Sequence, residues 1–244
     1  MANLYFDESL ADTEPGGLIT VSGDEGRHAV RVSRLRLGEQ TIVGNGRGLR
    51  AFGAVTELGR DSFTVAVERV EEVPAPARRL VLVQALAKGD RDERAVEQAT
   101  EFGVDAIVPW QAERSVSRWV GEKAEKGVAK WSRIAREASK QSMRGWIPEV
   151  LQPVATADLA ALDGHVIALH PRGEERLSAW RPPDERDVYL VVGPEGGLTD
   201  IELSTLTAQG PGERQIALLG NNVLRTSSAG PAAIAVLNAA LGRW

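Results

Sequence analysis

Apolar and polar positions follow two rhythms along this chain, and the change falls within residues 71–77. Over residues 18–73 the apolar residues come in short β-type runs broken by glycine turns, as in Thr41-Ile-Val-Gly44, residues 51–58 and Ser62-Phe-Thr-Val-Ala-Val-Glu68. Short strands at that spacing predict a small β-barrel. Glu71-Glu-Val-Pro-Ala-Pro-Ala77 then reads as a linker. Beyond it, apolar strands alternate with helical segments at 80–86, 93–102, 106–109, 123–141, 165–169 and 188–192. That alternation predicts an α/β domain with a largely parallel sheet, so the expected domains are 1–73 and 78–244.

Two glycine-marked units close the second domain. In Val188-Tyr-Leu-Val-Val-Gly-Pro-Glu-Gly-Gly-Leu-Thr-Asp-Ile-Glu202, Gly193, Gly196 and Gly197 remove side chains where backbone turns sharply or approaches a ligand, and Pro194 stiffens the turn. Thr199 and Glu202 form a capping box, which starts a helix at about Asp200. In the second unit a strand over 215–219 ends at Gly220, residues 221–225 are irregular, and Thr226, Ser227 and Ser228 are three candidate N-caps. The helical run 229–241 carries almost no charge and tolerates Pro231 only in its first turn. A helix apolar on every side is deep core or a subunit interface. Ligands of open α/β sheets lie beyond the carboxyl ends of the strands, which places the expected site in the last third of the chain.

Composition narrows the chemistry. With 244 residues and 43% hydrophobic content the chain can form one large or two modest domains, and with no cysteine it has no disulfide, thiol nucleophile or thiolate metal site. No apolar run reaches membrane length, and residues 1–10 lack the basic and apolar regions of a signal peptide, so a soluble cytoplasmic protein is expected. A net charge of -5 argues against indiscriminate coating of nucleic acid. Any RNA contact must be local, and Arg27, His28, Arg31, Arg34 and Arg36 cluster before a turn, with Arg47 and Arg50 in a following glycine-rich loop. That cluster reads either as a solvated basic face or as a phosphate-binding surface. Dinucleotide and nucleoside-triphosphate loops are missing, and His28, His165 and His170 lack the spacing of metal ligands, so no metal is expected. His165 and His170 flank a strand, where structural roles are the default; a place beside a ligand is the second reading for His170.

Gly193-Pro-Glu-Gly-Gly-Leu198, then Leu219-Gly220, then Val223-Leu-Arg-Thr-x-x-Ala229 resemble the SPOUT superfamily of S-adenosylmethionine-dependent RNA methyltransferases. Within it the chain is most similar to the RsmE family of 16S ribosomal RNA (uracil-N3)-methyltransferases. Lys88-Gly-Asp-Arg91, Ala99-Thr-Glu-Phe-Gly103, Glu113-Arg-Ser115 and Gln141-Ser-Met-Arg144 fall where that family has Lys-Gly, Ala-Thr-Glu-Leu-Gly, Ser-Glu-Arg and Gln-Ser-Gly-Arg. The resemblance runs nearly end to end and includes His28, Val32, Arg34, Arg36, Gly38 and Glu39 near the start.

This resemblance implies a PUA-like RNA-binding barrel followed by a SPOUT domain whose C-terminal segment, residues 188–241, is tied in a trefoil knot that builds the cofactor pocket. It implies S-adenosyl-L-methionine as cofactor, a homodimer, and 16S rRNA within the small ribosomal subunit as partner. Backbone groups of Gly193, Pro194, Glu195, Gly196 and Gly197, and of Leu218, Leu219, Gly220, Asn221, Val223, Leu224 and Thr226, are the expected cofactor contacts, with Leu169 and His170 beside them. Lys88, Arg91, Arg114 and Arg144 join His28, Arg31, Arg34 and Arg36 as candidate RNA contacts.

Uracil N3 attacks a methyl carbon only once its proton has left and negative charge has spread to the flanking carbonyls. Arg225 is the candidate to stabilise that anion, its alternative being a helix-start arginine paired to a carboxylate. Glu195 can face the sulfonium, accept from ribose or base, or receive loop amides, and the residues alone leave these open. A SPOUT enzyme acting on a ribose 2'-hydroxyl, and a non-catalytic ribosome-assembly factor, are the other functions compatible with the motifs. The chain departs from the family at Asn222-Val-Leu-Arg-Thr-Ser-Ser-Ala229, where members commonly have Arg-Ile-Leu-Arg-Thr-Glu-Thr-Ala, at Leu4-Tyr-Phe6 in place of a frequent Arg-Phe-Phe, and at Met143, where glycine is usual.

Overall fold

The structure is a computed structural model that describes residues Asn3 to Trp244. The chain forms two compact units, Met1–Ala75 with Ser139–Ile147, and Pro76–Ala138 with Pro148–Trp244. Among the described residues no helix is long and apolar enough to cross a membrane.

The first unit is a mixed five-stranded sheet. Its strands are β1 (Asn3–Phe6), β2 (Leu18–Val21), β3 (Gln40–Gly44), β4 (Leu49–Leu58) and β5 (Phe63–Glu72), in spatial order β1-β3-β4-β5-β2. β1 runs parallel to β3 and the other pairs are antiparallel. Along β4 the buried positions alternate from Leu49 to Val55, and Ala51 and Val55 turn into a core with Tyr5, Val21, Val43 and Val65. Where β4 and β5 slip register after Phe52, a side chain on Gly53 would meet the Ala66 carbonyl at 2.0 Å, so only glycine fits that bulge.

A short helix α1 (Gly23–Arg27) continues into a π-helical turn, His28–Val32, and was not signalled by the apolar pattern. From α1, Glu25 accepts the Phe6 amide at the edge of β1 and pairs with Lys140 at 3.0 Å, both side chains nearly buried. A carboxylate that covers an open strand edge leaves less of it for another chain to pair with.

Two expectations change here. β5 runs on through Glu71 and Glu72, which removes them from the expected linker. A boundary drawn once along the chain also assigns Ser139–Ile147 to the second domain, whereas these residues belong to the first. The reason is apolar packing with backbone pairing: Met143 and Ile147 pack on Leu4, Phe6 and Ile42, Gly48 N–H donates to the Gly145 carbonyl at 2.9 Å, and Ile147 N–H donates to that of Gly46 at 3.0 Å.

The second unit is an eight-stranded, all-parallel sheet. Its strands are β6 (Leu80–Ala85), β7 (Ala106–Gln111), β8 (Glu149–Val150), β9 (Val154–Ala155), β10 (His165–Leu169), β11 (Glu175–Arg176), β12 (Val188–Val192) and β13 (Arg214–Leu218). They lie in the order β11-β13-β10-β12-β6-β7-β8, with β9 also on β7. The helices are α2 (Arg91–Glu101), α3 (Glu122–Gln141), α4 (Thr156–Leu159), α5 (Asp200–Leu206) and α6 (Thr226–Ala240). Both faces of the sheet are covered, as an all-parallel sheet requires. Leu80 and Leu82 of β6 share one core with Val96, Trp131, Ile234 and Leu237 from α2, α3 and α6, while Val81 and Val83 share the other with Leu159, Leu203 and Leu206 from α4 and α5.

The expected capping box at α5 forms: Thr199 Oγ1 accepts from the Glu202 amide at 3.2 Å and Glu202 accepts from the Thr199 amide at 2.9 Å. At α6 the outcome differs. The helix begins at Thr226 with Arg225 as an N-cap that makes no side-chain cap, so none of the three hydroxyls caps it and Pro231 sits in the second turn.

Met143 is the C-terminal anomaly of α3. Its amide donates to the Lys140 carbonyl and that of Arg144 to the Ser139 carbonyl, the paired bonds of a Schellman motif. Met143 takes the left-handed position of that motif, with φ 58, which explains why a glycine is usual there. The expected consequence reverses the ordinary ranking: in urea melts Met143→Gly will be more stable than Met143→Ala, by roughly 1 kcal/mol. An alanine variant equal to or above the glycine variant would contradict the left-handed assignment.

Candidate active site

Three adjacent parallel strands end at one level. Leu169 of β10 pairs with Val192 of β12 on one side and Ala217 of β13 on the other, and the His170 amide donates to the Ala217 carbonyl at 3.1 Å. The loops that follow, 170–173, 193–198 and 219–225, therefore emerge side by side. They enclose two adjoining cavities of about 520 and 330 Å³, which share Leu169, His170, Pro171, Val223, Leu224 and Ala229. Either volume is in the range of a small-molecule pocket.

Each glycine of the first loop has its own reason. A Cβ on Gly193 would come within 2.7 Å of the Leu198 side chain, and one on Gly196 within 3.0 Å of Arg114 Cβ. Gly197 instead has φ 70, a left-handed conformation.

Of the expected cofactor contacts, Gly193, Pro194, Glu195, Gly197, Leu169, His170, Val223, Leu224 and Thr226 line the larger cavity together with Arg225. Leu218, Leu219, Gly220 and Asn221 line the smaller. Gly196 lines neither; its carbonyl accepts from Arg114 at 2.9 Å, which ties the loop to residues 112–115. Asn222, inside the expected stretch 218–224, lines the smaller cavity, and Pro171, Val192, Leu198 and Ala229 also line the cavities and were not anticipated. The rule that ligands sit at strand ends could have found Pro171, the second residue after β10.

Thr226 joins the two motif loops. Its hydroxyl donates to the Gly193 carbonyl at 2.9 Å and lies 2.9 Å from Gln84 Nε2 of β6. Arg225, immediately before it, is exposed on the cavity wall, and among the described residues its guanidinium has no hydrogen-bond or ion-pair partner. The alternative of a helix-start arginine paired to a carboxylate is not what this geometry shows.

Glu195 is engaged by the chain itself. It accepts from the Lys88 amide at 3.2 Å and pairs with Arg91 at 2.5 Å. Burial pushes its carboxyl up, but Arg91 and the loop amides outweigh that and hold it below the usual value. Arg91 thus lines the larger cavity as the partner of Glu195.

His170 is held below the ordinary imidazole value by burial and by the nearby Arg172 charge. Its Nδ1 accepts the Arg172 amide at 3.2 Å, so the neutral ring carries its proton on Nε2. Arg172 also pairs with Asp200 in the first turn of α5. His165 is structural: Nδ1 accepts the Glu213 amide at 3.1 Å, Nε2 meets Asp184 at 3.0 Å, and the ring packs edge-on against Trp180.

The candidate RNA contacts divide between the units. His28, Arg31, Arg34 and Arg36 are exposed on the first unit around the buried Leu35, with Arg31 paired to Asp61 and Arg34 at φ 54. Arg144 belongs to the first unit as well, and Lys88, Arg91 and Arg114 to the second. Among the described residues no group of three or more His, Asp or Glu side chains could hold a metal ion.

An all-parallel sheet with convergent loops at three strand carboxyl ends defines an α/β enzyme domain that binds a small organic ligand there. Residues 74–238 match the RNA methyltransferase domain family and residues 21–68 the RNA methyltransferase PUA domain family. The chain belongs to this RNA methyltransferase family. It is 38% identical over 252 residues to ribosomal RNA small subunit methyltransferase E of Mycobacterium bovis, an alignment covering 100% of this chain and 94% of the relative. To the Bacillus subtilis protein of the same name it is 29% identical over 240 residues, 94% of this chain and 93% of the other. The solved structure of a putative methyltransferase from Legionella pneumophila, in complex with bound S-adenosylmethionine, superposes with a TM-score of 0.85 at 30% identity, covering 98% of both chains.

The Arg91–Glu195 pair gives a pH-dependent expectation. Because the folded carboxyl lies below its ordinary value of 4.5, its stabilisation is complete above that value and is lost as pH falls through the depressed one. Both side chains are partly exposed, so solvent screening keeps the contribution at or below about 1 kcal/mol. Arg91→Ala should therefore be slightly less stable than wild type at pH 7, with the gap closing below about pH 4. A gap that stays constant from pH 7 to pH 3 would show that Arg91 does not act through this carboxylate.

Proposed function

We propose that this RNA methyltransferase transfers the methyl group of S-adenosyl-L-methionine to N3 of one uridine in 16S rRNA of the small ribosomal subunit, with Arg225 as the residue that stabilises the reacting base. The observation carrying this reading is the unpaired Arg225 guanidinium on the wall of the larger cavity, next to the loop 193–198.

The residues present suit the cofactor. Among the described residues the amides of residues 220–224 take no intramolecular hydrogen bond, while Leu169, Leu219, Leu224 and Ala229 supply apolar wall. Free backbone donors beside an apolar surface fit the edge and face of an adenine ring. When bound, the cofactor supplies a methyl group already activated by its positively charged sulfur.

The chain's own residues then have three tasks. Arg225 faces the negative charge that uracil acquires on losing its N3 proton, and stabilises it electrostatically. Glu195 stays ionised and tied to Arg91, which makes it a weak proton acceptor and one of the links between the loop and residues 88–91. His170, neutral with its proton on Nε2, offers a donor that adds no charge.

The homodimer and the subunit substrate belong to the same proposal. α6 contains no charged residue, and Ala232, Ala235 and Val236 are only partly buried within one chain, which suits a symmetric partner. The net charge of -5 favours a preformed ribosomal surface over free RNA, since phosphate contacts dominate affinity for naked nucleic acid. A small-ribosomal-subunit substrate goes with a cytoplasmic protein.

Incubation with labelled S-adenosylmethionine and small subunits lacking the modification, followed by mass spectrometry of the nucleosides, should yield N3-methyluridine. Arg225→Ala should keep its cofactor affinity within about threefold and lose turnover by roughly 10²-fold or more, the usual effect of removing one donor to a developing anion. Ribose-methylated nucleoside instead would move the target to a 2'-hydroxyl and remove this role for Arg225.

A further inference from the structure

Gln84 is out of place in the sheet. It lies in β6, a central strand with every residue buried, where an unbroken apolar run is expected. It is fully buried, on the same face as Leu80 and Leu82, the face covered by α6. An amide in such a place must be held by its hydrogen bonds.

The direction of those bonds is fixed by one neighbour. Nε2 lies 3.1 Å from the Ala85 carbonyl, an oxygen that can only accept, so the group there is the NH2. The second hydrogen therefore goes to Thr226 Oγ1, 2.9 Å away. That hydroxyl accepts from Gln84 and has a single hydrogen to give, which goes to the Gly193 carbonyl at 2.9 Å. Oε1 has no partner among the described residues, so the donors alone orient the side chain.

We propose that Gln84 is a positioning residue: through the one-way relay Gln84 N–H to Thr226 O–H to Gly193 C=O it sets the N-terminus of α6, and with it Arg225, against the loop 193–198. The relay crosses from the sheet to both walls of the larger cavity, since Gly193, Arg225 and Thr226 all line it. Gly230 brings α6 close to the sheet, where a Cβ would lie 3.1 Å from Leu82. Close packing fixes how deep the helix sits, and the relay fixes its rotation. A displacement of about 1 Å at a reacting group can cost on the order of 10²-fold in rate. This inference rests on the methyltransferase reading of the site.

Gln84→Leu and Gln84→Glu separate positioning from stability. Leucine matches the volume and removes a buried amide, so the melting temperature of Gln84→Leu should equal or exceed that of wild type. Its kcat should fall at least tenfold with cofactor Kd within about threefold, and the hydrogen-bonded amides of Gly197, Ser228 and Ala229 should exchange at least tenfold faster while amides of β6 and β12 keep their protection. In Gln84→Glu a protonated carboxyl can donate to Thr226, whereas the carboxylate can only accept and would draw the hydroxyl away from Gly193. The activity of Gln84→Glu relative to wild type should therefore fall as pH rises, a profile that a space-filling role would not produce. Wild-type kcat in Gln84→Leu, unchanged loop exchange, or a pH-independent ratio for Gln84→Glu would overturn the relay. A wild-type protein that transfers no methyl group to small subunits would instead count against the proposed function, and loop exchange in the two variants would still decide the role of Gln84.

Discussion

Leu169 is held on both sides by parallel backbone, with Val192 to one side and Ala217 to the other, and the site depends on that register. Because side chains alternate across a strand, a slip of one residue in β10 would exchange the side chains that face its two cores. Val166, Ile167 and Ala168 are all fully buried, so both faces oppose the slip. The carboxyl ends of β13, β10 and β12 are thus level, and three loops from distant parts of the sequence meet without any of them having to be ordered alone.

What joins the loops is a set of single polar contacts, each reaching far along the chain. Glu195 reaches Lys88 and Arg91, Gly196 reaches Arg114, and Glu202 accepts the Glu113 amide at 2.8 Å while capping α5. A typical hydrogen bond contributes about 1 kcal/mol. None of these contacts would hold a loop by itself, and their value lies in linking elements the sheet has already brought together. The Lys88–Arg91, Glu113–Ser115 and 193–198 motifs are read separately in the sequence but form one connected rim.

Much of this architecture was legible in the sequence because it is written in local patterns. β10 and β12 coincide with apolar runs, α5 starts at its capping box, and the two glycine units do flank a cavity. What escaped was whatever depends on distant partners. β1 is four residues long and exists through its parallel pairing with β3, and the π-helical turn at His28–Val32 has no apolar period to announce it. Thr226 looked like a cap because serine and threonine before an apolar run usually are; here its hydroxyl was already committed to Gly193. Arg91 and Arg114 looked like free cations, and only the folded chain shows them held by the 193–198 loop.

The membership of Ser139–Ile147 in the first unit also orders events in time. A chain emerging from its amino terminus exposes all five strands of the first sheet when residue 72 has appeared, yet the cluster of Leu4, Phe6 and Ile42 stays uncovered and the Glu25 carboxylate lacks its lysine. Domains usually fold as they are made, amino-terminal first. This one must wait until residue 147 is out, by which point β6 and β7 of the other unit, and the helix α3 that runs from that unit into this one, are also available. The two units therefore complete their folding as one interleaved process, and the first is not a segment that can be cut from the chain at its linker.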